Sequence, residues 1–271
     1  MSRGRGWRLI ARKEIGDAVR NRQLYSNAAM FALLFGFMAY IYADAGGSPP
    51  AELVGFLSAL SIVLVPAVGL MIAYSAIVKR RSDGQLTLLL GMPHDRRDVV
   101  IGSYLGRAAV LLVALVVGVA AAALVAVLFG SELSAVALSG FFLATAALGV
   151  SYVAIAICLS ALTRDQTWAS IGAFVAFLLF VLAWRYVPTG IAYAFNGFEL
   201  PAAEPWWFPY VEVLSPSVAY EQLLEVVAEV GGYATGDGLD RTLSAVAAAS
   251  LLGWCILAPA VGYLQFARSD L

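Results

Sequence analysis

The single histidine, two lysines and two cysteines of the 271-residue chain decide which chemistries are open to it. His94 sits between Pro93 and Asp95 with no His-Glu-x-x-His pair to hold zinc, so a histidine-dependent hydrolase lacks its base and its metal ligands. Lys13 follows Arg12 and Lys79 follows Val78, and neither completes the Gly-Lys-Ser/Thr that cradles nucleotide phosphates. The chain is not a conventional P-loop ATPase. Cys158 and Cys255 lie far apart inside apolar stretches, where a thiol packs as a small buried group, with neither a disulfide framework nor zinc spacing. Five methionines, one the initiator, and two separated cysteines do not form the closely spaced soft-ligand relay that copper transfer requires.

Glu221, Glu225 and Glu229 recur every four residues and would line one face of a helix. Carboxylates on an exposed helix are weak metal ligands without further donors, and a solvated helix face accounts for the same spacing. No metal site is expected.

These residues hang on a framework that the apolar content defines. Hydrophobic residues make up 61% of the chain and charged residues 13%, which excludes an ordinary soluble domain. Six apolar stretches, 24–43, 53–78, 108–129, 133–162, 168–184 and 243–266, each have the roughly 20 residues that cross a bilayer. Fifteen of seventeen basic residues, with seven acidic ones, fall in the arm 1–23 and in alternate gaps; eleven acidic and two basic residues occupy the others, giving +8 against −9. Because Lys and Arg flanks stay cytoplasmic, both termini are expected inside. The expectation is one all-α integral membrane domain with six N-in/C-in spans. Ala43-Asp44-Ala45 superficially resembles a signal-peptide cleavage site, but the basic region and apolar core before it are too long, so the first span is read as uncleaved.

Once their ends are set aside, these stretches contain no Asp, Glu, Lys, Arg or His. Ion-coupled carriers and voltage sensors place ionisable groups at membrane depth, so both mechanisms are disfavoured.

Between the spans, three segments carry pattern. In the arm, Trp7, Ile10, Ala11, Ile15 and Ala18 share one side of a helical wheel while Arg8, Arg12, Lys13 and Arg20 lie largely elsewhere, predicting an amphipathic helix on the inner membrane surface. In the gap 79–104, Ser82 or Asp83 can cap a short helix carrying Leu86, Leu88, Leu89 and Leu90; Gly91 and Pro93 end it, and Asp95-Arg-Arg-Asp98 caps the next. Such a leucine-rich helix flanked by basic residues either lies against the chain's own spans or forms a cytoplasmic docking surface. Gly102-x-x-x-Gly106 permits close helix contact. The loop 186–241 is longer than a hairpin needs and carries Trp206-Trp207-Phe208, suited to the headgroup region, and Ser215-Pro216 leading into the glutamate stripe.

The run Gly84-Gln-Leu86-Thr-Leu-Leu89-Leu-Gly-Met-Pro93, followed by Arg96-Arg97-Asp98 and Gly102 and Gly106, with Ala11-Arg12-Lys13-Glu14 upstream and Leu214-Ser215-Pro216 downstream, resembles the permease subunits of ABC-2-type exporters. The likeness covers nearly the whole chain, and the late Leu-Ser-Pro-Ser-Val-Ala-Tyr segment is most similar to the branch related to the nitrous-oxide-reductase maturation exporter. It implies a surface helix at the N-terminus and a coupling helix between spans two and three seated in a groove on a separate cytoplasmic ATPase. Gly84, Leu86, Leu89 and Pro93 would make that interface with Arg96 and Arg97 on the same face. ATP and magnesium would be bound by the ATPase and not by this chain, and a second permease copy or close relative would complete the plasma-membrane transporter. Nothing points to nucleic acid. Gln85 stands where members often have Thr, and Ser103 where many have Lys. A membrane anchor or assembly factor whose acidic outer loop binds an exported protein, metalloproteins included, is the alternative to transport.

Overall fold

The computed structural model describes residues 6–47, 50–82, 95–200, 203–231 and 239–268, and all regular structure among them is helical. The helices are α1 (Gly6–Arg20), α2 (Gln23–Asp44), α3 (Pro50–Ala73), α4 (Val78–Ser82), α5 (Arg96–Leu128), α6 (Ala135–Leu162), α7 (Gln166–Phe177), α8 (Val187–Phe195), α9 (Phe208–Glu212), α10 (Pro216–Val230) and α11 (Arg241–Arg268). Six stretches are long and apolar enough to cross a membrane: α2, α3 with α4, α5, α6, the run from α7 to α8, and α11. Helix starts follow local chemistry. Ser134 accepts from the Ala137 N–H (3.2 Å), Asp165 from Thr167 (2.6 Å) and Asp240 from Thr242 and Leu243 (2.9 and 3.1 Å), satisfying donors that a helix start leaves open.

The central helix is α6, whose Phe141, Leu148, Tyr152, Ala156 and Ile157 are fully buried. Helix α2 packs along α5, and Phe31, Phe35 and Phe141 meet edge-on or tilted with centroids 5.4 and 6.1 Å apart, an arrangement that aligns positive ring edges with negative faces.

Two spans are interrupted, and each interruption is satisfied from another helix. Between α3 and α4 the chain leaves the helical path at 74–77; Ser160 of α6 then accepts from Ile77 N–H (3.0 Å) and Val78 N–H (3.1 Å), while Arg107 of α5 donates to the Ile72 carbonyl (2.8 Å). Inside a bilayer such backbone groups have no water to turn to, so these partners make the break tolerable. Within the fifth span, Leu178–Ala183 widens into a π-helical segment, and the Phe180 carbonyl accepts from Ser215 (2.8 Å).

Three boundaries differ from those expected from apolar content. The third span begins at Arg96 rather than near 108, and the fifth continues past Trp184 to Phe195. The segment read as an outer loop, 186–241, turns back into the bundle. The Leu214 carbonyl at its turning point accepts from Trp254 (2.8 Å) and Ser250 (3.2 Å). Trp254 is thirteen residues into α11, so this point lies about 20 Å along that helix. From there α10 climbs beside α6, with Ser217 bonded to Tyr152 (2.7 Å) and Tyr220 to Thr145 (3.2 Å). Burial pushes the Tyr220 phenol above its ordinary range, keeping it a neutral hydrogen-bonding group.

Candidate functional site

Among the described residues, the densest buried charge lies where α1 crosses the start of α5. The face of α1 turned inward carries Ile10, Glu14 and Ala18, spaced one helical turn apart. Opposite them, Gly102 and Gly106 leave no side chain in the way. A Cβ on Gly102 would stand 2.6 Å from the Ile10 Cβ, and one on Gly106 2.5 Å from the Glu14 Cβ, so the two helices approach as only glycine permits.

That approach places Glu14, 3% exposed, between two guanidiniums. Its carboxylate pairs with Arg80 of α4 and with Arg107 Nε of α5, the latter at 2.6 Å. Arg80 also donates to Ser103 (3.1 Å), and Asp17, one turn beyond Glu14, attracts Arg107. One buried acid thus joins the N-terminal helix to the last turn of span two and the first third of span three. Removing either side of such a pair strands an uncompensated charge.

Around this centre, the residues that flank segment 83–94 are bonded to other helices. At its start, Arg81 donates to the Thr163 carbonyl (3.1 Å) at the end of α6, with its guanidinium 5.3 Å from the Phe266 ring of α11. At its finish, Arg96 donates to the carbonyls of Phe266 (2.6 Å) and Ala267 (3.1 Å), with its guanidinium 5.5 Å from the same ring. Asp98 accepts from its own Asp95 N–H (3.4 Å) and from Trp7 N–H (3.2 Å), tying the start of α1 to the start of α5.

Of the residues named from sequence, Gly84, Leu86, Leu89 and Pro93 lie outside the described residues, as does His94. Arg96 is engaged as above; Arg97 is exposed. In α1, Trp7 and Ile10 contribute to the contact with α5, and Arg12 and Lys13 face outward. Ile15 lies on a second, open apolar side of α1. It is 37% exposed, with Leu9 and Val19 on the same open side, because the buried stripe is rotated to run through Glu14. Two arginines make Glu14 a core position.

On the other side of the molecule, Trp206 is exposed and Trp207 half-buried. Ser215 and Pro216 are buried at the start of α10, with the Ser215 hydroxyl accepting from Ser217 N–H (3.3 Å) as a cap. Glu221 pairs with Arg185, while Glu225 is exposed and accepts from Gln222 (3.0 Å). Burial raises the Glu221 pKa above its ordinary value, partly opposed by Arg185. Among the described residues no three His, Cys, Asp or Glu side chains are grouped so as to hold a metal.

Sequence reasoning missed Glu14, Arg80, Arg107 and Ser160 as a connected set. One signal was available: an acid at four-residue spacing between Ile10 and Ala18, matched by glycines four apart in a later helix.

Six apolar helices of spanning length, with basic residues concentrated in alternate gaps and acidic residues in the others, define a multi-pass membrane protein. The chain belongs to the ABC-2 family of transporter proteins, whose model matches residues 8–271. It is 31% identical over 272 residues to the probable ABC transporter permease protein NosY of Stutzerimonas stutzeri, covering 96% of this chain and 97% of that one. The protein of the same name from Pseudomonas aeruginosa is 32% identical over 206 residues, 73% of this chain and 74% of that one. The chain is accordingly an ABC transporter permease subunit, a transport component that is not itself catalytic.

Proposed function

We propose that this chain is one half of an exporter in the plasma membrane, with both termini cytoplasmic, driven by a separate ATPase that docks on segment 83–94 and carries the ATP and magnesium. Gly84, Leu86, Leu89 and Pro93, with Arg96 and Arg97, form the docking surface, and a second permease copy or close relative completes the pathway. The observation that carries this reading is the double clamp: Arg80 and Arg81 before the segment and Arg96 and Asp98 after it are bonded to α1, α5, α6 and α11. A displacement of the segment by nucleotide-driven closure then acts on four elements at once, and the break at 74–77 gives span two a place to bend. The apolar stretches, which carry no Asp, Glu, Lys, Arg or His once their ends are set aside, fit a machine whose work is supplied from outside.

The test is co-purification with an ABC ATPase sought among the products of neighbouring genes, comparing wild type with Leu86→Asp and Leu89→Asp. A charge forced into an apolar docking groove should abolish association and stimulated ATP hydrolysis while leaving the six-span fold intact. Undiminished association and stimulation in both variants would reject the docking assignment.

A further inference from the structure

An apolar groove of about 870 Å³ opens between the fifth and sixth spans, with α6 as its floor. Ile155, Cys158, Gly172, Leu179, Gly253 and Leu257 are among its lining. Leu214, Trp184 and Trp254 line its middle, where the re-entrant segment turns, and the Leu214 carbonyl is bonded to Trp254 and Ser250. The stretch of α11 along it, from Val246 to Val261, is about 22 Å long, more than the roughly 15 Å of one bilayer leaflet. Its open edge is formed by Val175, Leu257 and Val261, all more than half exposed at spanning depth. The volume falls within the range of ligand pockets.

The charge below the groove selects the occupant. Arg164 follows α6 and Arg268 ends α11, both exposed at the basic end of the bundle, and Arg268 lies seven residues, about 10 Å, beyond Val261. Arg81 and Arg96 gather at the same corner against Phe266. An apolar slot rising from a cationic rim matches a lipid with an anionic headgroup below and an acyl chain above.

We propose that this groove is a binding site for one acyl chain of an anionic phospholipid whose headgroup rests on Arg164 and Arg268. The lipid fills the space between the weakly packed fifth span and α11, bracing the π-helical segment from its open side.

Trp184 and Trp254 report on it directly. With Trp7, Trp168, Trp206 and Trp207 changed to Phe, the full chain is reconstituted in phosphatidylcholine nanodiscs and titrated with phosphatidylglycerol brominated on its acyl chains, or with brominated phosphatidylcholine as the comparison. Phosphatidylglycerol should quench the two tryptophans saturably at a mole fraction at least five-fold lower, since each arginine contributes roughly five-fold to anionic-lipid attraction. Arg164→Gln with Arg268→Gln should erase the difference between the lipids. Gly253→Leu should reduce quenching by both; a Cβ there meets only Leu257 Cδ1 at 4.0 Å, so the added side chain grows into the groove without disturbing the fold. Equal quenching by the two lipids in the wild type, or quenching by phosphatidylglycerol unaltered in Gly253→Leu, would overturn the proposal. So would efficient disulfide formation between copies through Gly253→Cys in a chain with Cys158 and Cys255 changed to Ser, which would assign the groove to a second copy.

Discussion

Replacing Glu14 by Gln keeps the shape of the side chain and removes the one anion that Arg80 and Arg107 share. At an effective dielectric of about 20, the 2.6 Å contact to Arg107 corresponds to about 6 kcal/mol of Coulomb attraction. Several kcal/mol of desolvation per ion offset most of this, so the pair itself contributes little net stability. Deleting only the acid forfeits the attraction and keeps both cations buried, which costs about 3–5 kcal/mol. The carboxamide oxygen still accepts one hydrogen bond, placing the expected loss near the lower bound, about 3 kcal/mol, or roughly a hundred-fold in the docking equilibrium of α1. Hydrogen exchange read by mass spectrometry in nanodiscs should show that loss of protection in 6–20 and leave α10 unchanged. Glu14→Leu combined with Arg80→Met and Arg107→Met should recover most of it, because apolar groups of similar volume replace buried ions well; the residual deficit reflects the lost Arg107 bond to Ile72. Protection in α1 of Glu14→Gln within three-fold of wild type would refute the reasoning that this acid holds α1 in place.

The same contact can be broken without touching a charge. Gly106→Val brings a Cβ to 2.5 Å from Glu14 Cβ and 3.0 Å from the Ala11 carbonyl, and overpacking of this kind costs about 1–3 kcal/mol, so α1 should again lose protection; Gly16→Ala, with nothing within 4 Å, should not. Ser160→Ala leaves the Ile77 and Val78 N–H groups without their acceptor, and at about 1–3 kcal/mol each the thermal midpoint should fall well below that of Ser139→Ala, an exposed serine bonded only within its own turn. Glu221 has a pKa raised above its ordinary 4.5, so the folded chain holds that proton after the unfolded chain has lost it. Its contribution to stability is present below the unfolded value and is lost as pH rises through the folded one. The midpoint of wild type relative to Glu221→Gln should therefore decline with rising pH across that window, and Arg185→Gln should extend the window upward; a flat difference from about pH 4 to about pH 7 would contradict the assignment.

How much of this was legible from sequence depends on whether a residue's partner is lipid or protein. Spans showed clearly because a bilayer demands about 20 apolar residues wherever the chain crosses it. Apolar content alone put the start of the third span near 108, since an arginine set against lipid is costly, although Asp95-Arg-Arg-Asp98 already marked a helix start there. In the fold Arg96 and Arg107 meet Glu14 and the carbonyls of Ile72, Phe266 and Ala267, so the helix begins twelve residues before the apolar run. Helix α10 hid its depth in the opposite way. Its glutamates mark an outward face, but Ser217 and Tyr220 on the other face are hydroxyls that bond to Tyr152 and Thr145, and isolated hydroxyls leave no hydrophobic period to read.

The break in span two shows why such features resist local reading. Tyr74-Ser-Ala-Ile77 contains neither proline nor glycine, and Pro66, the residue that announces a bend, lies within continuous helix instead. What permits the chain to leave the helical path is a serine more than eighty residues away, aimed at two N–H groups, and an arginine of the next span aimed at one carbonyl. Those partners belong to α6 and α5, and that same arginine holds Glu14 of α1. The irregularity, the buried acid and the bonded residues that flank segment 83–94 are therefore one connected structure. A substitution at Ser160 should consequently loosen α1 as well as span two, whereas independent features would respond separately.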